Sequence, residues 1–222
     1  MQTSIKIAKG NLLREGVRAR SIVVTGNTVV DALCWMKTLI ANNRPPLPSV
    51  IERATQLERK IVLITSHRRE SFGTGLKEIC LAIKDLADKH PSVLFVYPVH
   101  LNPSVQKPVH QLLQSVEGVV LTQPLSYTPF VYLLGESRLV VADSGGIQEE
   151  SASMGKPVLV TREVTERPEG ILAGVSRLVG TSRQRIVTEV SRLLTNQSAY
   201  ARMSRKTPEY GNGRAAERSS VH

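Results

Sequence analysis

The chain is poor in three things, and each absence closes off a class of protein. No apolar run approaches the roughly 20 residues that cross a bilayer, and the amino terminus, Met1-Gln-Thr-Ser-Ile-Lys-Ile, lacks the long apolar core of a secretory signal. The expectation is a cytoplasmic protein with no membrane partner. Only two cysteines occur in 222 residues. Cys34 and Cys80 both sit among apolar neighbours in helix-like segments, so two buried thiols are expected rather than a disulfide or a metal pair. Aromatic residues are 4% of the chain, namely one Trp, five Tyr and three Phe. That is thin for stacking bases, and it weighs against the nucleic-acid partner that a formal charge of +10 would otherwise suggest. The basic residues are also spread out, and the late ones, from Arg183 to Arg218, have the spacing of wet helix faces. An anionic small ligand explains the charge as well. There is no internal repeat and no low-complexity tract.

What is present is an alternation. Apolar runs at Ser21–Thr25, Lys60–Thr65, Ser92–Tyr97, Gly118–Leu121 and Arg138–Ala142 read as buried parallel strands, with Pro157–Val160 and Ser176–Val179 as further candidates. Between them, Thr28–Ala41, Gly75–Lys89, Ser104–Ser115, Thr128–Glu136 and Ser182–Leu194 carry apolar residues at three- and four-residue spacing. Strand and helix alternating in this way predict a single Rossmann-like doubly wound α/β sheet, with ligands at the carboxyl ends of the strands. Asn42–Ser49, with three prolines, reads as a stiff connection, and Thr207–His222 as a tail with little to pack, prone to fray.

The loops at those strand ends are unusual. Asp143-Ser-Gly-Gly-Ile-Gln-Glu-Glu150 joins a strand to a helix start, where Gly145 and Gly146 let backbone approach an anion and the helix dipole favours negative charge. Ser144 adds a hydroxyl, and Glu149 and Glu150 suit ribose hydroxyls, so a nucleotide fits better than bare phosphate. An ordinary strand-to-helix turn would read the same way. Ser66–Gly73 gathers His67, Arg68 and Arg69, which suit an anion, or form a surface loop in which an arginine pairs with Glu70. Pro98–Pro103 leaves His100 and Asn102 on a fixed path, and Arg162–Gly170 holds Arg167 ahead of a proline. Four polar loops around one glycine-rich turn, at His67, His100, Ser144 and Arg167, are expected on one edge of the sheet.

Several segments, taken in order, resemble the non-hydrolysing UDP-N-acetylglucosamine 2-epimerases of bacteria: Val24–Leu33, His67–Gly73, Tyr97–Pro103, Asp143–Glu150, Gly155–Val160 and Thr165–Glu169. The resemblance runs from about Asn11 to Arg218 and concerns only the second half of that family's GT-B-like two-domain fold. It implies residues 1–20 as a remnant of the inter-domain segment, 21–206 as a UDP-binding domain and 207–222 as a truncated carboxyl-terminal tail. It implies conversion of UDP-GlcNAc to UDP-ManNAc by elimination and re-addition of UDP, in polysaccharide biosynthesis, without metal or other cofactor. His67 and Arg167 would serve catalysis at the diphosphate, with Ser144, Gly145 and Gly146 around it, Phe130 near the uracil and Glu150 near the ribose. Arg68 and His100 match residues that hold a second, allosteric UDP-GlcNAc. The family's first domain, which carries the catalytic carboxylates, has no counterpart before Asn11. The resemblance therefore implies an isolated chain without turnover, a missing amino-terminal domain or a homo-oligomer as partner, and a non-catalytic UDP-sugar-binding module as the alternative.

Overall fold

The computed structural model describes residues 2–3 and 6–220; residues 1, 4 and 5 of the amino-terminal segment and 221 and 222 of the tail lie outside the described residues. A short parallel pair joins β1 (Gln2–Thr3) to β2 (Val23–Val24), with α1 (Lys6–Arg14) and a 3-10 turn (Ala19–Ser21) between them. Helix α2 (Thr28–Asn42) and α3 (Ser49–Gln56) follow, separated by the proline-rich connection. Then comes the alternation: β3 (Ile61–Thr65), α4 (Thr74–Lys89), β4 (Leu94–Pro98), α5 (Pro103–Leu113), β5 (Val119–Thr122), α6 (Tyr127–Glu136), β6 (Leu139–Ala142), α7 (Gly145–Met154), β7 (Val158–Val160), α8 (Pro168–Leu172), β8 (Ser176–Leu178) and α9 (Arg183–Thr195). Two short helices close the chain, α10 (Gln197–Met203) and α11 (Ala215–Ser220).

Strands β3 to β8 form one six-stranded sheet in the order β5-β4-β3-β6-β7-β8, parallel throughout. Counted within the sheet this is 3-2-1-4-5-6, the Rossmann order, in which the winding direction reverses between the first and fourth strands. Successive side chains of a strand point to opposite faces, so each strand feeds two cores. Val62, Ile64, Phe95 and Tyr97 pack with Leu76, Ile79, Ile83 and Leu86 of α4, Val105 and Val109 of α5, and Ile186 and Val190 of α9. On the other face Ile61, Leu63, Val96, Val140 and Val158 pack with Ile51 of α3 and Leu133 and Leu134 of α6. Burial on both faces is why these strands read as continuous apolar runs rather than alternating ones.

Three expectations are corrected here. The run Ser21–Thr25 contributes β2, which pairs with β1 and stands outside the six-stranded sheet. Cys34 is exposed on α2, whereas Cys80 is on the buried face of α4, where burial pushes its thiol up to about 12. The tail does not fray within its described part. Tyr210 is fully buried, its carbonyl accepts from Asn27 N at 2.8 Å and its hydroxyl accepts from Gly170 N at 2.9 Å. Gly26 and Gly211, both at positive φ, let the two backbones meet; a Cβ on Gly26 would lie 3.3 Å from Gly211 Cα. The Asp31 carboxylate then caps α11, accepting from Ala215 N at 3.0 Å and Ala216 N at 2.7 Å.

Candidate functional site

The winding reverses between β3 and β6, and in doubly wound sheets of this order the ligand crevice lies at the carboxyl ends of the strands beside that point. The first wall is Ser66–Arg68, leaving β3; the second is Asp143–Gly146, leaving β6. A fully buried Asp143 joins them. Its Oδ2 accepts from Ser66 Oγ at 3.0 Å, His67 N at 2.7 Å and Arg68 N at 2.8 Å. Its Oδ1 lies 3.4 Å from His67 Nδ1 and has no hydrogen bond among the described residues. Tyr97 supports the same turn from below, its hydroxyl donating to Ser66 O at 2.7 Å, and burial raises that phenol well above its usual range. From β4 comes His100, whose ring stacks on His67 with centroids 5.3 Å apart and planes 9° from parallel.

Ser144 is the N-cap of α7, and the first helical bond runs from Gln148 N to Ser144 O at 3.2 Å. The N–H groups of Gly145, Gly146 and Ile147 thus precede the helical ladder, where the positive end of the dipole lies. A Cβ on Gly146 would meet nothing within 4 Å, so open space lies over that turn. Over Gly145 lies Arg167; its side chain would be 3.8 Å from a Cβ there.

Arg167 arrives on the loop after β7 and is tied down along its length. Its N–H bonds Thr165 Oγ1 at 3.0 Å, and Thr165 in turn donates to Gln148 Oε1 of α7 at 2.8 Å. The guanidinium donates through Nε to Glu149 and through Nη1 to Glu166 O at 3.1 Å. Glu149 also accepts from Asn27 Nδ2, which brings the start of α2 to the site. Burial raises the Glu149 carboxyl above the usual range, and Arg167 opposes that rise. Glu150, one residue on, accepts from Tyr127 Oη at 2.8 Å; burial raises its carboxyl too, against the lowering effect of this bond. Phe130 sits one turn along α6 from Tyr127, half-buried against the core of the second face.

A further charge network closes the edge. Arg162, at 7% exposure, donates to Glu70 at 2.5 Å and to Glu166 at 3.3 Å, and Glu166 lies 3.7 Å from Arg68. Glu70 therefore pairs with Arg162 and not with the arginines adjacent to it in the loop. His67, His100, Ser144, Gly145, Gly146 and Arg167 share the carboxyl edge, with Arg68 beside them and Glu150 in the second turn of α7. Phe130 lies on α6, packed against the core of the second face, and not on the loops of this edge. Sequence reasoning missed Asp143, Asn27, Tyr127 and Arg162 as members of the site. Only Asp143 carried a signal, an acid directly after a buried apolar strand. Glu169, after Arg167 and Pro168, is buried at 3% exposure with neither carboxylate oxygen hydrogen-bonded among the described residues. Among the described residues no group of three or more His, Cys, Asp or Glu is disposed to hold a metal, and no helix is long and apolar enough to cross a membrane.

Known proteins match this chain over nearly its whole length. The family model for UDP-N-acetylglucosamine 2-epimerase matches residues 2–220. UDP-N-acetylglucosamine 2-epimerases of Yersinia pestis and Escherichia coli K12 are each 48% identical over 213 residues, covering 95% of this chain and 57% of theirs. The chain thus spans little more than half the length of these curated relatives. The crystal structure of the Neisseria meningitidis UDP-GlcNAc 2-epimerase bound to UDP-GlcNAc matches with a TM-score of 0.89 at 41% identity, covering 98% of this chain and 59% of that one. The Methanocaldococcus jannaschii enzyme in complex with UDP-GlcNAc and UDP matches at 0.82 and 27% identity, covering 100% and 59%. The six-stranded Rossmann-like sheet corresponds to the second domain of their GT-B-like fold, and the chain belongs to the UDP-N-acetylglucosamine 2-epimerase family.

Proposed function

We propose that this chain binds the UDP moiety of UDP-GlcNAc and forms the leaving-group side of an active site that interconverts UDP-GlcNAc and UDP-ManNAc. The observation that carries this reading is the convergence of Arg167, His67 and the first-turn N–H groups of α7 on one crevice at the switch point. As the anomeric C–O bond breaks, negative charge grows on the β-phosphate, and preorganised donors there stabilise the transition state more than the ground state. Arg167, His67 and the N–H groups after Ser144 take that role. Glu150, with one oxygen held by Tyr127, keeps the other for a ribose hydroxyl, and Phe130 flanks the base. Arg68 and His100 hold a second UDP-GlcNAc beside the first.

Removal and return of the C2 proton need positioned acid–base groups. Asp143, Glu149 and Glu150 are already engaged by protein donors, and Glu169 is sealed from solvent. That supports a second reading for the 222-residue polypeptide on its own, a UDP-sugar-binding module without turnover. Calorimetric titration with UDP tests binding, and NMR of UDP-GlcNAc incubated with the chain in deuterated water tests chemistry. Binding with no deuterium at C2 is expected. Deuterium incorporation by this polypeptide alone would reject the module reading, and absence of binding would reject both.

A further inference from the structure

We propose that Asp143 is a positioning residue for the phosphate end of the crevice. It fixes the backbone of residues 66–68 and turns His67 Nδ1 toward its own buried carboxylate, so that Nε2 is the nitrogen offered to the diphosphate. The proposal rests on the UDP-binding reading above, and its test separates the two.

The two oxygens of Asp143 are in different situations. Oδ2 accepts three donors, from Ser66 Oγ, His67 N and Arg68 N, and so holds the turn after β3 against the strand end of β6. Oδ1 is buried with no donor among the described residues, and His67 Nδ1 stands 3.4 Å away. A buried anionic oxygen without a donor is unfavourable, and a proton on Nδ1 is the remedy that this geometry offers. Which ring nitrogen of a histidine carries the proton is set by the bond that the other nitrogen makes. The plane of the ring is held as well. His67 is stacked on His100, whose Nδ1 accepts from Asn102 N at 3.1 Å and is thereby held in its own orientation.

With Nδ1–H directed at Asp143, Nε2 lies on the far side of the ring, and the His67 side chain is 40% exposed. A neutral ring in this state has a lone pair on Nε2 and repels a phosphate oxygen. To donate to phosphate, Nε2 takes one proton from solvent, which leaves an imidazolium between the Asp143 carboxylate and the diphosphate. Asp143 thus makes His67 bind the diphosphate as a cation rather than as a neutral donor.

The test uses the chain with 15N-labelled histidine, and long-range 15N–1H correlation to locate the ring protons of His67. Wild type is expected to carry its proton on Nδ1 where the ring is neutral. Asp143→Asn keeps an oxygen for the three donors but turns an amide N–H toward Nδ1, so the neutral ring should flip to the Nε2–H form. UDP affinity should fall roughly tenfold, the scale of one charge-assisted hydrogen bond. Proton uptake on UDP binding, read from the buffer dependence of the binding heat, should vanish with it. A neutral wild-type ring protonated on Nε2 overturns the proposal, as does a folded Asp143→Asn chain with an unchanged ring. If that variant does not fold, the wild-type spectrum decides alone. If neither protein binds UDP, the functional reading fails, and the ring spectra still judge Asp143.

Discussion

Arg167 with Glu149 and Arg183 with Asp85 are the same chemical pair in two settings, and the two carboxyls move in opposite directions. Arg183 grips Asp85 with both arms, at 2.6 and 2.7 Å, on the outer surface of α4 and α9, where the side chains are 44% and 35% exposed. There the arginine bond holds the Asp85 carboxyl below its usual range. At the crevice Arg167 is 33% exposed but Glu149 only 4%, and burial raises the Glu149 carboxyl in spite of its partner. An exposed pair is screened and contributes little, whereas a buried carboxylate pays desolvation first. The lesson is that the Arg167–Glu149 bond is a means of aiming a guanidinium at Gly145 rather than a source of stability.

The sharpest way to break this contrast is to remove each arginine in turn. Arg167→Ala should weaken UDP binding more than about tenfold, since a charge-assisted contact is worth roughly 1.5–3 kcal/mol. Arg183→Ala should leave the calorimetric affinity unchanged. Equal losses in both would mean that general surface charge, not the crevice, attracts UDP. A smaller effect is expected at the ribose end. Tyr127→Phe removes the bond that opposes the burial of Glu150, so its carboxyl should rise further and UDP affinity should fall about threefold, the weak end of a single hydrogen bond's contribution. Titration near neutral pH and again in mild acid should show the deficit widening as the pH falls.

The smallest effects are in stability against pH, and their signs differ. Asp85, lowered when folded, stabilises above its ordinary value, and that contribution is lost as the pH falls through the depressed value. Wild type should therefore outlast Asp85→Asn at neutral pH and converge with it in acid. Glu149, raised when folded, does the reverse: stability is lost as the pH rises through the raised value, so Glu149→Gln should gain on wild type toward neutral pH. Thermal midpoints across the acid range check both, and the same sign for the two pairs would refute the comparison.

Much of the sheet could be read from the sequence because its inner strands, buried on both faces, are continuous apolar runs, at 60–65, 92–97, 138–142 and 157–160; 118–121 and 176–179 fall on the edge strands β5 and β8, which are only partly buried. Val23 and Val24 look the same locally, and only their partner distinguishes them, a pairing with residues 2 and 3 that no local pattern encodes. Helices α3 and α10, at 8 and 7 residues, are too short for a period to stand out. The glycine turn and the loops at His67, His100 and Arg167 were visible because they break the apolar pattern at strand ends. What binds them together was not. Asp143 reaches Ser66–Arg68, Asn27 reaches Glu149 and Arg162 reaches Glu70, all contacts between segments that are distant in the chain.

Tyr210 lies at the meeting of several of these contacts. Its carbonyl holds the backbone of Asn27, whose side chain holds Glu149, and its hydroxyl holds the amide of Gly170, three residues past Arg167. The docked tail and the guanidinium of the crevice therefore share one anchor. Hydrogen exchange would expose this arrangement: the Gly170 amide should be protected only while the tail is seated. A protease clip between Lys206 and Tyr210 should then deprotect an amide beside the crevice without cutting any strand of the sheet.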